Sequence, residues 1–184
     1  MPSPLKVVVV GAGRGQSQVR SILRLPDLLE LVGWVDLDLK RLHRRIDEAG
    51  LSYDLASPSL GSTLTKTNFD AVVVATWARS HEEVVGQALE AGKHVLVEKP
   101  YTLTLATSRA LQQRADAAAL RVVVNQQWRY MPGQRTVRRI LNARAYGEPQ
   151  VGHLVTYKAR GSQYPDSTHS PLWQMTVPDI HPPF

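Results

Sequence analysis

Four short valine-rich runs constrain what this chain can become. Residues 7–10, 72–75, 95–97 and 122–124 are apolar without alternation. A strand with one face in water alternates apolar and polar residues. A run without alternation suits a strand covered on both faces, as in a parallel sheet. Residues 31–35 form a fifth, more broken run, and a weak sixth lies near 51–55. Helical patterns separate the runs. Residues 16–25 stop at Pro26, and residues 39–49 end at Gly50. Residues 81–91 place Val84, Val85, Ala88 and Leu89 on one face, and residues 105–119 are rich in Ala and Leu, both strong helix formers. The repeated β-α order predicts an α/β fold with a Rossmann-type doubly wound parallel sheet.

The pattern changes after Asn125. Residues 126–132 form a polar, aromatic connector, and a helix is expected over 133–145. Gly147, Glu148 and Pro149 turn into an expected strand over 150–159, and a tail rich in Pro, Ser, His and Asp follows. A domain boundary is therefore expected near residue 125.

Composition excludes several classes of chemistry. The 184 residues contain no cysteine, so disulfides, a thiolate nucleophile and cysteine-bound metal are ruled out. No metal-ligand set is expected. The net charge is +6. The cations are dispersed at helical spacings, with Lys40, Arg41, Arg44 and Arg45 in one group and Arg135, Arg138 and Arg139 in another. They read as solvated helix faces rather than a nucleic-acid surface. No apolar stretch approaches the roughly 20 residues needed to cross a bilayer. The N-terminus enters a strand without a signal-peptide pattern, so a cytoplasmic protein is expected.

Two places carry chemistry. Gly11, Gly13 and Gly15 lie where the first strand enters a helix, with Arg14 in the same turn. Such a turn brings backbone N–H groups to a pyrophosphate at a helix N-terminus. In G-x-G-x-x-G the third glycine lets helix and strand pack closely; here that position is Gln16, and Gly15 is one residue early. Asp36 ends the next strand, where an acid accepts hydrogen bonds from the adenosine ribose. An acid there repels a 2′-phosphate, so NAD is expected over NADP. The alternative is a structural turn with Asp36 capping the next helix. The second place is Glu98-Lys99-Pro100, which ends the strand over 95–97 and delivers a lysine to the sheet edge where ligands bind.

These residues resemble the Gfo/Idh/MocA oxidoreductase family. The resemblance rests on the Gly11-Ala12-Gly13 turn, Asp36, the run from Asp70 to Thr76 followed by His81, and Asn125-x-x-x-Arg129-x-x-Pro132. Its most specific part is the string from Ala91 to Pro100. It implies NAD(P)-dependent hydride transfer to or from a sugar- or polyol-like secondary alcohol. Lys99 would sit between the nicotinamide and the reacting hydroxyl, as catalytic and substrate-binding residue. Glu98 would lie against the cofactor, Thr76 and Trp77 would line the nicotinamide ribose, and His81 would open the next helix near the cofactor. Arg129 would lie in the crossover to the substrate. His81 reads equally as a helix-opening histidine without a chemical role, and Arg129 as a structural ion pair. Trp77 and Trp128 read as packing residues before sugar platforms.

The resemblance also implies a division into a dinucleotide-binding domain, residues 1–125, and the start of a truncated α+β substrate or oligomerisation domain, residues 126–184. Relatives carry Asp-x-x-x-His in that second domain, with the histidine as acid/base. In the best register Gln174 and Pro178 stand at those positions, and His181 is out of step. Two functions follow as expectations. One is an NAD(P)-dependent oxidoreductase. The other is a catalytically weak NAD-binding module acting through a partner chain. A homo-oligomer is expected in either case.

Overall fold

The computed structural model describes residues 3–151. These divide after Asn125 into two units. The first unit holds six parallel strands: β1 (Leu5–Val10), β2 (Leu29–Val35), β3 (Ala56–Ser57), β4 (Ala71–Val74), β5 (His94–Val97) and β6 (Val122–Val124). Their order across the sheet is β3-β2-β1-β4-β5-β6. The crossovers contain α1 (Gly15–Ile22), α2 (Leu39–Ala49), α3 (Leu60–Lys66), α4 (Ala78–Glu90) and α5 (Leu105–Ala117).

The absence of alternation in β1 has a direct cause. Successive side chains of a strand point to opposite faces, and here both faces are cores. Val7 and Val9 pack with Val19, Ile22, Leu42 and Ile46 of α1 and α2. Val8 and Val10 pack with Phe69, Val85, Leu89 and Leu111 on the other side. The doubly wound sheet expected from the valine runs is the observed one.

Several boundaries differ from the sequence expectation. The sixth strand is β3, just after the expected 51–55. Ser52 instead caps a 3₁₀ turn, Tyr53–Leu55, through its hydroxyl and the Asp54 N–H. Helix α1 ends at Ile22 rather than residue 25. The Leu25 N–H bonds the Ile22 carbonyl in a tight turn, because a residue before proline avoids helical geometry. Helix α4 begins at Ala78, three residues before the expected start. Its polar first turn, Arg79 and Ser80, hides the beginning. Helix α3 has no counterpart among the expected helices. Its sequence, LGSTLTK, lacks strong apolar periodicity, and its start is fixed by the Ser59 hydroxyl accepting from the Ser62 N–H.

In the second unit, a 3₁₀ turn, Gln127–Tyr130, precedes α6 (Pro132–Asn142), which has proline in its first turn. That helix stops three residues short of the expected 145. The strand expected over 150–159 lies almost wholly outside the described residues, as do Gln174, Pro178 and His181.

The two-faced burial has a simple test. Val8 and Val9 are neighbours and both fully buried. Val8→Thr and Val9→Thr should each lower the unfolding free energy by about 1–3 kcal/mol, because each buries an unmatched hydroxyl. Urea denaturation reads this. A neutral result at either residue would mean that one face of the strand is wet.

Candidate functional site

The strands end on a level row. Val10 pairs with Val35 and Val74, Val74 with Val97, and Val97 with Val124. The backbone continues the pairing for one more residue. The N–H groups of Gly11, Ala75, Glu98 and Asn125 donate to the carbonyls of Val35, Val10, Val74 and Val97 at 2.7–2.8 Å. Gly11, Asp36, Ala75, Glu98 and Asn125 therefore leave the sheet together at its carboxyl edge. Between β1 and β4 the strand order reverses. The chain departs in opposite directions there, which opens a crevice suited to a ligand.

The three glycines of the first turn do different things. Gly11 has φ +108°, and a Cβ there would lie 2.6 Å from the Ala75 carbonyl oxygen. Only glycine fits both the backbone and the space. At Gly15 a Cβ would lie 2.9 Å from Val9 Cγ1. Gly15 thus gives α1 its close approach to β1, the role that the sequence pattern puts at residue 16. Gln16 instead donates to the Glu48 carboxylate at 2.9 Å. At Gly13 a Cβ would meet nothing within 4 Å. Helix α1 begins beyond it with no side-chain cap and no acidic residue in its first turn. Its N–H groups and positive dipole end suit an anion. Arg14, the N-terminal flanking residue, is exposed.

Asp36 is 7% exposed and ties this turn to the next helix. Its Oδ2 accepts from the Ala12 N–H at 2.5 Å. Its Oδ1 accepts from the Asp38 N–H at 2.8 Å and from Arg41 Nη2 at 2.7 Å. The hydrogen bond to Asp36 raises the Arg41 pKa above its ordinary value, partly offset by desolvation. Asp38, not Asp36, caps α2, accepting from the Arg41 N–H at 3.0 Å.

On the other side of the crevice, Thr76 is half-buried and its hydroxyl accepts from Ser80 Oγ at 2.9 Å. Trp77 is 53% exposed and flanks the start of α4. His81 is 1% exposed. Its Nδ1 lies 2.8 Å from the Pro100 carbonyl oxygen and its Nε2 3.2 Å from that of Thr76. Glu98 Oε1 accepts from Gln18 Nε2 at 2.9 Å and from Asn125 Nδ2 at 2.7 Å. Lys99 follows, half-buried, in the bend before Pro100, and the Lys99–Pro100 peptide is cis.

The fold thus gathers Gly11, Gly13, Arg14, Gly15, Asp36, Thr76, Trp77, His81, Glu98 and Lys99 at one end of the sheet. Arg129 belongs to the second unit, exposed on its 3₁₀ turn. The sequence did not single out Gln18, Arg41 or Asn125 as supports. Arg41 had a local signal, a cation on the first turn of the helix after an acid. Gln18 had none, and Asn125 entered as the first residue of the Asn125-x-x-x-Arg129-x-x-Pro132 pattern without its bond to Glu98, which only the fold brings about. Among the described residues, no group of three His, Cys, Asp or Glu could hold a metal ion. No described helix is long and apolar enough to cross a membrane. A helix start with no acidic residue in its first turn would take a phosphate, Asp36 would accept from hydroxyls, and Lys99 could donate to an oxygen.

A model of the Gfo/Idh/MocA family, described as an oxidoreductase family with an NAD-binding Rossmann fold, matches residues 5–126. Inositol 2-dehydrogenase 3 of Saccharopolyspora erythraea is 29% identical over 170 residues, covering 91% of this chain and 48% of that protein. The structure of GenD2 from gentamicin A biosynthesis, in complex with NAD, superposes with a TM-score of 0.72 at 27% identity, covering 79% of this chain and 41% of that one. An oxidoreductase from Agrobacterium radiobacter, in complex with NAD⁺, L-tartaric acid and magnesium, shares the fold with a TM-score of 0.73 at 23% identity, covering 79% and 42%. The chain spans about half the length of the curated relatives it matches.

The glycines separate by stability. Gly11→Ala should cost about 2–4 kcal/mol, from backbone strain and overlap with Ala75, and Gly15→Ala about 1–3 kcal/mol. Gly13→Ala should change stability by less than about 0.5 kcal/mol. Thermal or urea unfolding of the three variants checks the order, and equal losses would contradict it.

Proposed function

This chain belongs to the Gfo/Idh/MocA oxidoreductase family, whose Rossmann fold binds NAD, and we propose that residues 1–125 bind NAD for hydride transfer to or from a sugar- or polyol-like secondary alcohol. The observation that carries the proposal is the turn over residues 11–15. It sits at the switch point of the sheet, with Gly13 open and the start of α1 uncapped by any side chain. A pyrophosphate fits there, against N–H groups that have no neighbouring acid in the helix to repel it. Arg14 flanks the same turn. Asp36 accepts from the ribose hydroxyls, and its charge disfavours a 2′-phosphate, so NAD is preferred to NADP.

In this proposal Thr76 and Trp77 line the nicotinamide ribose and Glu98 lies against the cofactor. When bound, the nicotinamide supplies the hydride chemistry. The chain's own part is orientation and charge. The Lys99 ammonium donates to the alcohol oxygen, fixes its direction and stabilises negative charge developing on it. Glu98, held by Gln18 and Asn125, anchors the backbone immediately before that lysine. Arg129 is given to substrate binding as well. The alcohol class rests on the likeness to inositol 2-dehydrogenase. The same proposal gives residues 126–184 to substrate binding and to association with a second copy. A cytoplasmic setting completes it.

Calorimetry with NAD should show saturable binding. Gly13→Ala should weaken it about tenfold or more while leaving stability intact, because a methyl group enters the space left for the phosphates. Absence of heat at millimolar NAD would overturn the proposal. Lys99→Ala should leave NAD affinity within about threefold and lower kcat for NAD reduction by a polyol about a hundredfold or more. An unchanged rate would remove Lys99 from the mechanism.

A further inference from the structure

We propose that His81 is a positioning residue for Lys99, tying the turn that carries the lysine to the loop that follows β4. This rests on the assignment of Lys99 to the nicotinamide side of the site, and it gives His81 a role other than contact with the cofactor.

His81 lies in the first turn of α4 and is 1% exposed. Both ring nitrogens face backbone carbonyl oxygens, those of Pro100 and Thr76. A carbonyl only accepts, so each contact calls for an N–H from the ring. The shorter contact, 2.8 Å, is assigned as Nδ1–H donating to Pro100. With both nitrogens occupied by protein, the ring has no edge left for a ligand.

The two carbonyls belong to the two loops that face each other across the site. Strands β4 and β5 are zipped up to the Glu98 N–H, which donates to Val74. Beyond that bond the loops part, one toward α4 and one toward α5. The imidazole, carried on the first turn of α4, reaches across to the Pro100 carbonyl. Lys99 stands between two anchored neighbours. Before it, Glu98 is held by Gln18 and Asn125. After it, Pro100 is held by His81. The turn is closed further on by Thr102, 6% exposed, whose hydroxyl donates to the Thr104 carbonyl at 2.8 Å. Without His81 the Pro100 carbonyl loses its 2.8 Å bond from α4, and the backbone just after the lysine is held less firmly. Positioning errors of this kind are costly in rate even when binding survives.

The test uses the whole chain and separates the two ring nitrogens. The amide nitrogen of Asn can take the place of Nδ1, and that of Gln the place of Nε2. His81→Asn therefore keeps the donor to Pro100, whereas His81→Gln loses it at similar polarity. Lys99 acetylation by acetic anhydride, followed by mass spectrometry with and without NADH, reads the lysine directly. Calorimetry reads NADH affinity in parallel, and this should stay within about threefold in both variants, since the glycine turn and Asp36 are untouched. NADH should slow acetylation of Lys99 about tenfold or more in the unmodified chain and in His81→Asn, and less than about twofold in His81→Gln. Equal protection in all three would overturn the positioning role while leaving Lys99 in the site. No protection in the unmodified chain, despite NADH binding, would overturn the assignment of Lys99 and the proposal with it.

Discussion

Five parallel strands that stop on one row of valines set everything else in this molecule. Because Val10, Val35, Val74, Val97 and Val124 are in register, the residue after each emerges at the same height. A glycine, an acid, a small residue, a second acid and an amide come into line without any being near another in sequence. The level edge is a product of apolar burial. Val74 and Val97 are fully buried and Val10 and Val35 nearly so, with an apolar core on each face of the sheet. The core thus sets the position of polar groups it never touches.

The polar groups then hold one another. Asp36 joins the Ala12 N–H to the start of α2 and to Arg41. Glu98 joins α1, through Gln18, to the end of β6, through Asn125. His81 joins the turns after β4 and β5. Each bridges two loops that leave the sheet separately, which limits how far the edge can relax. A site assembled this way is pre-organised, since its loops do not have to be ordered when a ligand arrives.

Much of this was legible in the sequence, and the reasons differ by element. The strands were legible because two-sided burial leaves an unalternated valine run. Helix α2 was read to both its ends, with Gly50 a local signal for its stop, although its cap is Asp38 and not the Asp36 that the sequence offered. Helix α3 was not, because Ser and Thr dominate it and its start depends on a single cap at Ser59. Gly15 was visible as a glycine, but its duty depends on Val9, on a neighbouring strand. The bond between Gln18 and Glu98 spans 80 residues. No local pattern announces such a pair. Glu98 and Lys99 were found through their place at a strand end, whereas their supports needed the fold.

In the proposed function the level edge between β1 and β4 receives a dinucleotide. Hydrogen–deuterium exchange with and without NAD tests it most directly, because it reports which amides the ligand covers. Exchange in residues 11–17 should slow on adding millimolar NAD, with residues 60–66 of α3 unchanged. No slowing in residues 11–17, or slowing confined to segments away from that edge, would contradict it.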